Sequence, residues 1–220
     1  EKLITFVGKL NKAKGYDVFG SAVVKILNKY KDWNAAVIGD EEREKLTFSH
    51  KNLKILGFKT HNEVISIFKK SSISVVCSRW EEPFGRTSLE SSSCGCAVII
   101  TNRGGLPETI TNAIIINKLT EENVYASIAN LIENKNYRKD LQKYSLKNFN
   151  LTHSKAAKYI DNYRDGILNS PIKLLSLKTA KLKILHVTNF NERHNGRLFY
   201  NTGRRINNGF IRLNHSTLEF

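Results

Sequence analysis

Two carboxylates, Glu82 and Glu90, are separated by seven residues in the stretch Ser78-Arg79-Trp80-Glu81-Glu82-Pro83-Phe84-Gly85-Arg86-Thr87-Ser88-Leu89-Glu90. Such a pair serves either as acid and base or as acceptors for a hydroxylated ligand. The stretch follows an apolar run, Ile73–Cys77, that reads as a buried strand, and it leads into a short helix ending at Cys94-Gly95. A strand that empties through Pro and Gly into a helix puts polar groups at the carboxyl edge of a sheet, where open α/β folds bind ligands. Phe84-Gly85-Arg86-Thr87 falls at the helix start, whose free N–H groups and dipole favour a phosphate. Glu90 follows one turn later, with both oxygens able to accept from paired ribose hydroxyls. Taken alone, the motif is equally two unrelated surface glutamates, and Glu81 reads as solvated.

Two further loops carry similar chemistry. Gly8-Lys9-Leu10-Asn11-Lys12-Ala13-Lys14-Gly15 follows the apolar run Leu3–Val7. Gly8 lets the chain turn off the strand, and Lys9 and Lys14 can converge on a phosphate beside the next helix start. Arg103-Gly104-Gly105-Leu106-Pro107-Glu108 follows Ile99-Ile100-Thr101. Gly104 and Gly105 permit close backbone approach and an anion-binding nest of N–H groups. Separately, these are also a solvated lysine-rich loop and a tight turn. Together, three loops at one sheet edge ask for a diphosphate joined to a ribose on one side and a hydroxylated group on the other, which describes a nucleotide sugar.

The elements that must position these loops alternate. Leu3–Val7, Ala35–Ile38, Leu53–Leu56, Ile73–Cys77, Ala97–Thr101 and Ile114–Ile116 read as strands. Between them, Tyr16–Tyr30 and Asn62–Lys70 repeat apolar residues at helical spacing, Thr87–Ser93 is a short helix and Leu106–Ile110 a helical turn. Glu121–Glu133, Tyr137–Phe149 and Ser154–Leu168 follow as helices. This alternation predicts an α/β fold with a doubly wound, Rossmann-like parallel sheet and right-handed crossovers over residues 1–168. Pro171 breaks the last helix. Residues 169–181 read as a basic linker. Residues 182–220 read as an incomplete second βαβ start: a strand to Thr188, a polar loop Asn189–Gly196, a helix Arg197–Leu213 and a strand from Ser216. About forty residues cannot bury a core of their own.

Composition narrows the classes. No apolar run approaches the ~20 residues of a membrane helix, and no signal peptide is evident. The absence of Met and the end at Glu219-Phe220, inside a strand-like run, read as an excised segment or partial reading frame. Cys77, Cys94 and Cys96 form no disulfide framework and no zinc set, so they read as reduced core thiols and predict a cytoplasmic setting. The net charge is +15, of which residues 171–220 hold +7. That charge suits nucleic acid, anionic lipid or a phosphate-bearing ligand, or simply reflects composition. The chain lacks Gly-x-Gly-x-x-Gly after its first strand and lacks a P-loop, which argues against a standard nicotinamide enzyme or P-loop enzyme.

With those loops in hand, residues 1–168 resemble the C-terminal, donor-binding domain of GT-B-fold glycosyltransferases of the retaining family 4 class. The resemblance rests on Glu82-Pro83-Phe84-Gly85 with Glu90 and Cys94-Gly95, on Gly104-Gly105-Leu106-Pro107-Glu108, and on Gly8…Lys14-Gly15, in that family's order and spacing. It implies that Lys9 and Lys14 contact the donor diphosphate and that Glu82 with the Phe84-Gly85 backbone holds the sugar. Glu90 would hold the ribose, and Gly104 and Gly105 would lie near phosphate or sugar. The Gly57-Phe58-Lys59 loop would border the nucleobase through backbone. Lys9 stands where the family usually has Arg, which loses the bidentate fork. Arg86 stands where the family usually has an aliphatic residue, either adding a phosphate contact or pointing outward, beside Thr87. Residues 182–220, including Leu213-Asn214-His215-Ser216, resemble the start of a second N-terminal domain of the same fold.

The implied reaction is transfer of a hexose-type sugar from a nucleoside diphosphate sugar to an acceptor hydroxyl, with retention, in glycan or cell-surface polysaccharide synthesis. Lys9, Lys14 and Glu82 would be the catalytic set, with no cofactor and no metal required, because cations and N–H groups stabilise the leaving diphosphate. The implied partners are a nucleotide-sugar donor and a glycan or lipid-linked acceptor. The implied location is the cytoplasm, with room for peripheral contact at the inner face of a membrane, and this reading does not call for nucleic acid. The chain by itself is expected to bind donor weakly and to lack transferase activity, because acceptor-facing groups of the family lie on a domain that would precede Glu1. Two alternatives stay open: a non-catalytic basic module for nucleic acid or anionic membrane, and a GT-B-like sugar-nucleotide epimerase.

Overall fold

Apolar residues at both odd and even positions of a strand require cover on both faces of the sheet, and that requirement sets this architecture. In the computed structural model, which describes residues 1–169, 181–187 and 202–219, the chain runs β1 (Leu3–Val7), α1 (Tyr16–Lys29), β2 (Asn34–Ile38), β3 (Leu53–Ile55), α2 (His61–Phe68) and β4 (Ile73–Val76). It continues through α3 (Arg86–Ser93), β5 (Ala97–Thr101), a 3-10 turn (Leu106–Glu108), β6 (Ala113–Ile116), α4 (Glu121–Glu133), α5 (Lys135–Lys147) and α6 (His153–Leu168). The first six strands form one sheet in the order β3-β2-β1-β4-β5-β6, with every pairing parallel. This is the doubly wound α/β fold that the alternation predicts. The order in which strands are added across the sheet reverses between β1 and β4, so their carboxyl ends frame a crevice.

Period-2 alternation sends Ile4, Phe6, Val37, Ile73, Val75 and Ile99 to one face, where Phe19, Val23, Ile26 and Leu27 of α1 and Val124, Ile128 and Leu131 of α4 cover them. Ala36, Ile38, Val98 and Ile100 go to the other, against Val64 and Phe68 of α2. The two buried polar positions on that second face, Thr5 and Ser74, sit on adjacent central strands, and the Thr5 hydroxyl donates to the Ile73 carbonyl (3.2 Å). The Thr120 hydroxyl caps α4 by accepting from the Asn123 N–H at 3.2 Å.

Element ends differ from expectation by a residue or two, for local reasons. Cys77 leaves the β4 ladder because its carbonyl lies against Gly15, whose φ of 72° and close approach leave no room for a Cβ. The expected helical turn Leu106–Ile110 stops at Glu108 as a 3-10 turn, where the Thr109 hydroxyl donates back to the Leu106 carbonyl (2.8 Å). Tyr30 ends α1 in a non-helical conformation, with its N–H still bonded to the Ile26 carbonyl. Leu56 falls outside β3, although its N–H donates to the Val37 carbonyl at 2.8 Å.

The chain divides into two compact units, Glu1–Tyr159 and Ile160–Phe220. In the second, β7 (Lys183–His186) and β8 (Ser216–Glu219) pair in parallel, and α7 (Thr202–Arg212) connects toward β8. Leu182, Leu185, Val187, Leu213 and Leu218 there remain exposed, as expected of a segment too short for a core. Most of the linker 169–181, the loop Asn189–Gly196 and the expected helical start at Arg197 lie outside the described residues. Among the described residues, no helix is long and apolar enough to cross a membrane.

Candidate active site

The cleft at the β1/β4 switch point is lined by Phe6, Val7, Gly8 and Lys14 from one side and by Val76, Cys77, Ser78 and Glu82 from the other, with Gly85, Arg86, Thr87 and Leu106 closing it. Gly8, Lys14, Glu82, Gly85, Arg86 and Thr87, picked from spacing in the chain, thus share one wall of space. Lys14 and Glu82 are ion-paired across the cleft, half-buried on the lysine side and mostly buried on the glutamate side. Gly85 caps α3 at φ 86° with no side-chain cap, so the first N–H groups of that helix stay open for another acceptor. A side chain at position 85 would meet Leu106 at 2.5 Å, so the helix start sits directly on the 3-10 turn.

Glu90 lies one turn inside α3. Its Oε1 accepts from Arg86 Nη2 at 3.1 Å and lies 3.7 Å from His61 Nδ1, at the start of α2. The β3–α2 connection carrying Gly57 and Phe58 therefore leads to the Glu90 side of the site. Phe58 is 74% exposed. Lys9 is exposed and, among the described residues, makes no ion pair.

The comparisons with known proteins agree with this geometry. The model of the family described as glycosyl transferases group 1 matches residues 1–148. The chain belongs to this family. It is 30% identical over 162 residues to spore coat protein SA of Bacillus subtilis, covering 66% of this chain and 43% of that protein. It spans about two fifths of the length of that curated relative. Among solved structures, it is similar to the C-terminal domain of a glycosyl transferase group 1 family protein (LpcC) from Francisella tularensis, with 28% identity, a TM-score of 0.60 and coverage of 66% of this chain and 82% of that one. It also shares the fold of Anabaena HepE, solved with UDP and glucose, at 15% identity, a TM-score of 0.62 and coverage of 77% and 49%.

Within this group 1 glycosyltransferase fold, contacts between loops explain several residue choices. Gly104, at φ 51°, would bring a Cβ into the Glu82 backbone, and its N–H donates to Glu81 Oε2 at 2.5 Å. Glu81 Oε1 also accepts from Arg103 (3.0 Å), and the Gly105 N–H donates to the Glu82 carbonyl (2.7 Å). Glu81, read as solvated, is exposed and also places a carboxylate of the chain itself on the Gly104 N–H. The glycine pair holds the loop carrying Glu82 at close range.

Sequence reasoning missed the clamp on the first loop. Arg79 grips Asp17 with Nη1 and Nη2 of its guanidinium (2.7 and 2.9 Å), while its backbone N–H donates to the Ala13 carbonyl (2.8 Å). Burial opposes ionisation of Asp17, and the Arg79 hydrogen bonds and charge outweigh it, so the carboxyl titrates below its usual range. Asn11 reaches Glu41 at 3.0 Å, and the Lys12 N–H reaches Glu44 at 3.0 Å, which ties the same loop to the segment after β2. Glu41 is held down to about 2, by the Arg43 side chain first, then by the Arg43 N–H and Asn11. His61 was missed as well. The signal available was its place at the same sheet edge.

Burial pushes the Cys77 and Cys96 thiols up to about 12, and all three cysteines are free. Neither buried thiol is a nucleophile at neutral pH. Among the described residues, no three His, Cys, Asp or Glu side chains gather into a metal-binding group.

Proposed function

We propose that residues 1–168 are the nucleotide-sugar-binding half of a retaining, family 4 class GT-B glycosyltransferase that transfers a hexose-type sugar to an acceptor hydroxyl. The observation that carries this reading is that Lys14, Glu82 and Arg86 line one cleft together with the start of α3, which has no side-chain cap. Lys14 pairs with Glu82, and Arg86 pairs with Glu90 one turn along α3. A diphosphate supplies the anion that such a helix start lacks. The two carboxylates supply acceptors for sugar and ribose hydroxyls. The UDP and glucose bound by HepE support a donor of this chemical class.

In this reading, Lys14, Lys9 and the α3 N–H groups stabilise the charge that grows on the departing nucleoside diphosphate, without a metal. Glu82 orients the sugar and moves no proton. Gly104 and Gly105 hold the Glu82 loop beside that sugar, and Phe58 borders the base. Acceptor, glycan or lipid-linked, would be held by groups outside residues 1–168. Residues 182–220 would open a second N-terminal domain of the same fold, and the free thiols suit a reducing cytoplasm.

A thermal-shift and calorimetric panel of UDP, GDP and ADP sugars tests the reading. One of them is expected to stabilise the chain. Lys14→Ala and Glu90→Ala are each expected to weaken binding by about tenfold or more, because each removes a charge-assisted partner. Folded protein that responds to none of the three would sink the proposal, as would donor affinity unchanged in both variants. Affinity for nucleic acid that collapses with salt, with no response to any donor, would favour the basic-module alternative.

A further inference from the structure

Arg86 opens α3, where a helix dipole disfavours a cation and favours an anion, and no acidic residue stands in the first turn. Its neighbour in compensation is Glu90, one turn on. Lys14 is matched in the same way by Glu82. Both cations line the cleft that Glu82 also lines. The partners differ in freedom: the Arg86 side chain is 76% exposed, whereas Glu90 is 20% exposed and lies between Arg86 and His61. If the pair opens, the arginine is the member that swings.

We propose that these two ion pairs are placeholders for the donor and that binding exchanges them. The diphosphate takes Lys14 and Arg86. The released Glu82 and Glu90 then accept from the sugar hydroxyls and the ribose diol. Recognition of the two halves of the ligand is thereby coupled, because each carboxylate is free for hydroxyls once its cation has moved to phosphate. Arg86 becomes a specificity-determining residue that disfavours a bare nucleoside and favours a phosphorylated one. This inference rests on the donor-site reading above and adds the order of exchange to it.

The test uses the full chain. Calorimetry with UDP, GDP and ADP first selects the base. The corresponding nucleoside (uridine, guanosine or adenosine) is then titrated with and without saturating inorganic pyrophosphate. Pyrophosphate is expected to tighten nucleoside binding about threefold, the scale set by opening one ion pair whose cation is exposed. By linkage, the nucleoside tightens pyrophosphate by the same factor. In Arg86→Leu, and in Arg86→Gln as a second variant, the nucleoside alone is expected to bind as tightly as it does to the wild type with pyrophosphate, and the coupling disappears. Thermal unfolding confirms that each variant folds. A nucleoside affinity indifferent to pyrophosphate, or weakened by it, overturns the exchange while leaving nucleoside diphosphate binding intact, and so does coupling that survives in both variants. Failure of all three nucleoside diphosphates to bind overturns the site itself and the exchange with it.

Discussion

At the scale of single residues, backbone contact governs the glycines and charge governs the loop tethers. Gly15 combines a positive φ with direct apposition to the Cys77 carbonyl, so it couples the first loop to the end of β4. Gly15→Ala is expected to cost about 3 kcal/mol, from left-handed strain plus displaced backbone, read as a lowered denaturant midpoint with unchanged slope. A cost within experimental error would mean that the loop does not sit on β4. Glu41 makes a pH prediction. Its folded pKa is depressed to about 2, so its contribution is complete above its unfolded value of about 4.3 and is lost as pH falls through about 2. The difference in Tm between wild type and Glu41→Gln should therefore be flat above about pH 5 and shrink toward zero near pH 2. A difference that grows on acidification contradicts that account. Lys14, Glu82, Arg86 and Glu90 were legible as chemistry from type and spacing. The Lys14–Glu82 pairing was not, because an ion pair over 68 residues leaves no periodic trace, and the same holds for Arg79 with Asp17 across 62.

At the scale of elements, the sheet was legible because buried parallel strands such as Ile73-Ser74-Val75-Val76 are apolar on both faces and stand out from their polar connections. Ends were less legible. The Cys77 boundary depends on Gly15, a residue far away in the chain, and the 3-10 turn at Leu106 depends on Gly85 and Thr109. Helix α4 offers a clean test of local signals, since Thr120 caps it and its buried face covers the β-strand layer. Thr120→Ala is expected to lower stability by about 1 kcal/mol, whereas Thr120→Ser keeps the cap and most of the stability. Equal losses in the two variants would assign the effect to the lost methyl instead.

At the scale of the whole chain, a six-stranded sheet places three loops at one edge, and everything proposed for function depends on that shared edge. The +15 charge says little by itself: the residues that matter include Lys14 and Arg86, each already matched to a carboxylate of the chain. The order of strand and helix revealed the fold class, and no property of composition distinguished a donor site from a basic surface for nucleic acid. Location of a bound ligand does. The most direct measurement is amide chemical-shift perturbation in the assigned chain on titration with the nucleoside diphosphate that binds best. Perturbations are expected at Gly8, Lys14, Arg86, Thr87 and Glu90, with residues 181–219 unmoved. Perturbations confined to residues 181–219, or none at saturating ligand, would contradict the donor site.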